Sequence, residues 1–285
     1  MSSQEHMFAV DGFLLTGTDP DGSVWTVETV TGWHDGPGVR SSRQPRAQQS
    51  GDMSGTAFRT GRQVVLSGKV FCSDTPQLES AARALTAVLA GGGQGDLVGL
   101  SRWGQLSARV RLEDAPRFEP LSSYAGAWQL TVASDDPLLY GDPVFLSAGL
   151  AGGSGTGLVY PLVYPRDYGV LAGQTPGSVV VPNAGTAAYW PRLRIDGPVP
   201  NPVVTLNETG DWVRFNGTVS AGQWLDFDLG VRRVLLNGQV SLRQFVTSSG
   251  RWLMVPPGGG SVSWAADGAD PAATLSVWSY EGAWS

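Results

Sequence analysis

Apolar and polar positions follow one rhythm through the second half of the chain. Between residues 189 and 264, short apolar runs end in Gly, Pro or Asn. They recur at roughly 8–12-residue spacing, as in an antiparallel sandwich. Strands are predicted at 178–181, 188–195, 203–207, 212–215, 224–228, 234–236, 252–255, 261–265 and 274–278. Asn216-Gly217 and Asn237-Gly238 are predicted hairpin turns, because both residue types accept positive φ.

The first half mixes two periods. Residues 7–15 read as a strand pair around Asp11-Gly12, and 24–30 as a β-branched strand. Residues 63–71 form another strand, with Gly68 as the expected bulge. One segment has helical spacing. Leu78, Ala81, Ala82, Leu85, Val88 and Leu89 make a single stripe, with Thr75 as the expected cap, Pro76 in the first turn and Gly91-Gly92-Gly93 as the stop. Those glycines follow a helix instead of opening one, so they are no phosphate loop. Period two then returns. Leu106, Ala108, Val110 and Leu112 alternate with Ser107, Arg109 and Arg111, and Trp128, Leu130 and Val132 with Gln129 and Thr131. The fold class is mostly β: an α+β N-terminal domain, then an antiparallel β-sandwich. A Gly-rich stretch at 152–157 puts the boundary near Ser154, giving domains 1–153 and 154–285. Tyr160-Pro161 and Tyr164-Pro165 predict extended chain just beyond it.

Residues 35–63 break both patterns. Apolar residues thin out, and Arg40, Arg43, Arg46, Arg59 and Arg62 stand against Asp35 and Asp52. Loops above about 12–15 residues inside a domain are usually functional or disordered. The two readings are a solvated loop and an arm that docks on a neighbouring subunit through these five arginines.

Composition narrows the chemistry. The net charge of −6 argues against nucleic-acid recognition. No apolar run approaches the roughly 18 residues of a membrane helix, so no membrane insertion is expected. The first residues carry no secretory signal, which predicts folding in a cytoplasm. Lys69 is the only lysine; the arginine bias fits either bidentate interface contacts or a GC-rich genome. Cys72 is the only cysteine, in an apolar run, and His6 and His34 are the only histidines. A metal site or a His-based triad is hard to assemble from that supply. Asp226 and Asp228 share one strand face and cannot flank a sugar ring from opposite sides. Asp267-Gly268-Ala269-Asp270 reads as a turn. No catalytic residue, metal or cofactor is expected. The 11 tryptophans are mostly in apolar runs and read as core or subunit contacts, with a sugar-stacking platform as the alternative. Trp284, at the end of the chain, and Trp278 are the candidates for exposed contacts.

In order and spacing, several short motifs resemble the distal tail proteins (minor tail proteins) of long-tailed phages. In the second half these are Tyr160-Pro161, Asn183-Ala184-Gly185, the run 191–197, Asn201-Pro202, Thr209-Gly210, Asn237-Gly238 and Trp252 through Pro257-Gly258. They are similar to that family's galectin-like C-terminal domain. The opening 8–12, the basic loop, the run 61–68 and the helix residues 85–89 resemble its N-terminal domain. The resemblance implies a structural, non-enzymatic virion protein at the tail tip or baseplate. It implies a hexameric ring that joins the tail tube protein to a tail-tip or hub protein, with the tape measure protein as a further neighbour. Some relatives carry a carbohydrate-binding insertion, for which this chain has no room. Two other classes compete: a carbohydrate-binding adhesin acting through the sandwich and, more remotely, a glycoside hydrolase.

Overall fold

Ten residues from Arg62 to Phe71 alternate inward and outward, and this strand is the spine of the first half. The computed structural model describes residues 7–101, 104–150, 177–268, 270 and 272–285. In it, Arg62–Phe71 pairs antiparallel with Ala125–Ser134 on one side and Val24–Thr31 on the other. The sheet runs in the order Phe13–Leu14, Met7–Val10, Gly95–Ser101, Gly104–Leu112, Ala125–Ser134, Arg62–Phe71, Val24–Thr31, Gly17–Thr18. Its inward residues, among them Phe8, Trp25, Val64, Leu66, Trp128 and Leu130, form one core with Leu78, Ala81 and Leu85 of the helix. Burying each large apolar side chain contributes roughly 1.5–3 kcal/mol. This first compact unit comprises Met1–Asp142 and Trp284–Ser285.

The helix spans Thr75–Ala87. Its cap is Asp74, one residue before the expected Thr75: the Asp74 carboxylate accepts the Gln77 N–H at 2.8 Å, and Gln77 Oε1 accepts the Ser73 N–H. That is a reciprocal capping arrangement. The helix also stops before the glycines. Val88 leaves helical geometry and Leu89 takes φ 52°, an uncommon conformation for a leucine.

The expected bulge lies across from Gly68. The register slips between Val27 and Thr29 on the facing strand, leaving Glu28 as the extra residue. A Cβ at Gly68 would overlap the Thr26 carbonyl. Glycine here permits close backbone approach opposite the bulge.

The second unit is Pro143–Ala283. One sheet runs Pro143–Gly149, Thr274–Tyr280, Arg192–Asp196, Trp224–Asp228, Arg233–Leu236, Val240–Ser241. The other runs Ser178–Val181, Gly260–Ala265, Val203–Leu206, Asp211–Phe215, Val246–Ser248. Leu193, Ile195, Leu225, Phe227, Leu275 and Val277 of the first sheet are buried, as are Val204, Leu206, Val213, Val262 and Trp264 of the second. This is the sandwich that the alternation predicted.

Two local expectations differ. Residues 252–255 form no strand; they contribute a single bridge, Tyr189 to Val255. Asn216-Gly217 is not a hairpin. Its backbone stays at negative φ, the Asn216 amide donates to the Phe245 carbonyl, and the chain continues into Thr218–Val219, which pairs with Val199–Pro200. Asn237 and Gly238, in contrast, take φ 51° and 69° as the turn reading requires. The boundary placed near Ser154 and the extended reading at 160–165 lie outside the described residues.

Two buried polar side chains tie this unit together. The Asn183 amide nitrogen reaches the carbonyls of Ala187, Val255 and Pro256, while its oxygen accepts the N–H groups of Gly185 and Ala283. The Tyr189 hydroxyl bonds the Pro182 and Tyr280 carbonyls and the Ser279 hydroxyl. Burial pushes the Tyr189 pKa above the ordinary phenol value, against the opposing hydrogen bonds of Ser279 and Tyr280.

Candidate functional site

The polar stretch after Val24–Thr31 is a hairpin arm. Val39–Arg40 pairs with Phe58–Arg59 near its base, and Arg43–Pro45 with Asp52–Ser54 further out. Backbone bonds continue the ladder: Thr60 N–H to Gly38 O at 2.8 Å, Gly55 N–H to Ser42 O at 2.8 Å, and Arg46 N–H to Gly51 O at 3.1 Å near the tip. Gly51 turns the tip at φ 104°. Every residue from 38 to 59 is exposed. The sequence pattern concealed these strands for a physical reason. Period-two alternation records one buried face, and this ribbon buries neither.

The arm has a mixed surface. Val39, Met53 and Phe58 are exposed at 67%, 65% and 58%. The Arg40 guanidinium sits 5.9 Å from the Phe58 ring centroid, across the strand pair. Arg40, Arg43, Arg46 and Arg59 face only Asp52 within the arm, in a chain of net charge −6. Among the described residues, none of these four arginines forms an ion pair. Cations, apolar side chains and backbone edges are therefore presented together to solvent.

Arg62 is set apart from the other four. It is 3% exposed and holds the base of the arm from inside. Its Nη1 donates to the carbonyls of Gly32 (2.7 Å), Trp33 (3.1 Å) and Asp35 (2.7 Å), and Nε donates to Pro137 O (3.1 Å). Burial lowers its pKa, the like charge of Arg59 adds to that, and Asp35 opposes it. A free arginine on the contact surface was the sequence expectation; the structure makes this one an internal clamp.

The aromatic candidates also divide. Trp278 is 42% exposed and packs on Phe145, with ring centroids 5.3 Å apart. By register, Phe145, Trp278, Arg192, Asp228 and Arg233 form one outward row across the six-stranded sheet. Phe145 escaped the sequence reading, because it stands between Val144 and Leu146 in an apolar run that shows no alternation. Trp284, expected to be exposed, is half-buried and belongs to the first unit. Asp226 accepts the Trp224 indole N–H, and Asp228 accepts from Arg233 and the Val231 N–H, so both carboxylates have structural partners.

Comparison with known proteins bears on this arrangement. Residues 184–284 match the family described as siphovirus-type tail component, C-terminal domain. The whole fold is similar to the Dit protein of phage SPP1, described as a paradigm of the hub adsorption apparatus in phages infecting Gram-positive bacteria. That match has a TM-score of 0.63 at 14% identity, covering 97% of this chain and 99% of that one. A chain of the phage P2 baseplate in its calcium-activated conformation is similar at TM-score 0.50 and 12% identity, covering 98% and 99%. No curated protein matches the sequence. Residues 184–284 thus match a tail-component domain, and the chain as a whole shares the fold of these phage proteins.

Proposed function

We propose that this protein is a ring-forming coupler, in which each copy lays its arm on the next and the closed ring, a hexamer, joins the tail tube to the tip proteins. The observation that carries the reading is the arm itself. A lone two-stranded ribbon is marginal in water at best. One that also exposes Val39, Met53, Phe58 and four arginines is built to be covered. A second copy is the fitting cover. The chain outside the arm is strongly acidic, so arm and body attract head to tail, and heterologous contacts of that kind form a ring where the rotation between neighbours closes. The protein works by shape and self-association, without turnover. Its neighbours in the virion are then the tail tube protein, a tip or hub protein and the tape measure protein.

Deleting residues 39–56 tests the reading. The parent should form rings by mass photometry, and the deletion variant should be a folded monomer. Rings from the deletion variant would remove the arm as the clasp.

The row of Phe145, Trp278 and Arg192 favours a second reading, a glycan-contacting face. Glycan-array binding by the whole protein, lost in Trp278→Ala, would support it; an array without signal would count against it.

A further inference from the structure

Nothing in the arm's own bonding fixes the direction in which it leaves the sheet. From 39 to 59 its ladder closes on itself, and every side chain is exposed. Only the base can aim it. We propose that Arg62 is the positioning residue of the arm, a buried guanidinium that locks the departing leg, the returning leg and the adjoining loop into one angle. The proposal rests on the clasp reading above and names the residue that makes the clasp reach its target.

The geometry supports this role in three ways. Arg62 opens the returning strand, and its Nη1 binds the departing leg at three carbonyls, those of Gly32, Trp33 and Asp35. Its Nε binds the third segment through Pro137. All four acceptors are backbone carbonyls, so the fork reads chain path rather than side-chain identity. Close packing leaves the base little freedom. A Cβ at Gly32 would overlap the Gln63 carbonyl, and one at Gly61 would lie 2.6 Å from Ser134 O. Lysine carries the same charge but no planar fork, and cannot hold these segments at once. A buried cation with no carboxylate in its hydrogen-bond shell is an expensive device for stability alone. A hinge that must not turn gives it a purpose.

The test combines geometry and assembly in Arg62→Lys. Spin labels at Ser50→Cys and Ser122→Cys, in a Cys72→Ser background, report the distance from arm tip to sheet under dilute, high-salt conditions where the chain is monomeric. The parent should give one narrow distribution. Arg62→Lys should give a distribution at least about twofold wider and associate at least about tenfold more weakly, with unchanged circular dichroism. An unchanged distance distribution would overturn the proposal. If the variant does not fold, tryptic mapping of the native parent decides: cleavage after Arg62 as fast as after Arg59 refutes a buried clamp, and resistance at Arg62 upholds it. If rings survive deletion of 39–56 while Arg62→Lys still widens the distribution, the clamp stands and the clasp reading falls.

Discussion

The two units use their distinctive residues in opposite ways. In Pro143–Ala283 the conspicuous motifs point inward. Asn183-Ala184-Gly185 is a hydrogen-bond junction, and Tyr189 closes a hydroxyl network. In the first unit the distinctive segment, residues 38–59, touches solvent along its whole length. Motifs that recur with fixed spacing are thus the ones the fold needs for itself. The stretch proposed above as the assembly surface is the one with the weakest pattern.

That contrast can be broken from either side. The largest local effect is expected for Gly68→Val. The new side chain collides with the Thr26 backbone and should cost about 3 kcal/mol, seen as lost hydrogen-exchange protection across Arg62–Phe71 and Val24–Thr31. Next comes Asn183→Ala, which strands the buried N–H groups of Gly185 and Ala283 and removes the amide from the Ala187 carbonyl, while Val255 O and Pro256 O keep the N–H groups of Tyr189 and Gly259; a loss of about 2–3 kcal/mol is expected in Pro143–Ala283, measured by denaturant titration. Protection at Arg192–Asp196 that survives this change would show that the junction is dispensable.

Tyr189→Phe should be milder, about 1–2 kcal/mol, and carries a pH signature. The folded-state pKa lies above the unfolded value of 10.0, so the stabilising neutral phenol is fully present below that pH. Its contribution is lost as pH rises through the folded pKa. The parent should therefore lose stability more steeply above about pH 10 than Tyr189→Phe does. Parallel curves would contradict the assigned network.

The smallest effect on stability belongs to the arm. Arg40→Ala, Arg43→Ala and Arg46→Ala combined should leave unfolding within about 0.5 kcal/mol of the parent. The same variant should show weaker association and a flatter salt dependence. An equal loss of fold stability would mean these arginines hold the monomer together.

How much of this could be read in advance depended on burial. The sandwich strands were visible because Leu225 and Phe227 face a core while Trp224, Asp226 and Asp228 do not. The helix was legible from Leu78, Ala81 and Leu85, although Asp74 outcompeted Thr75 as its cap. Turn chemistry was less dependable. Asn237-Gly238 behaved as its residues allow, whereas Asn216 directed its amide sideways to Phe245 and kept the chain running on. The arm's arginines could be found by charge alone, but its ladder could not, since a ribbon wet on both faces leaves no alternation. Arg62 looked like its four neighbours in the sequence. Only the carbonyls converging on it in three dimensions separate it from them.

Mass photometry of the whole chain beside the variant lacking residues 39–56 is the most direct test of self-association through the arm. The account predicts closed rings of six copies for the parent and a folded single copy for the variant. A parent that remains a single copy at every concentration, or a variant that still closes into rings, would contradict it.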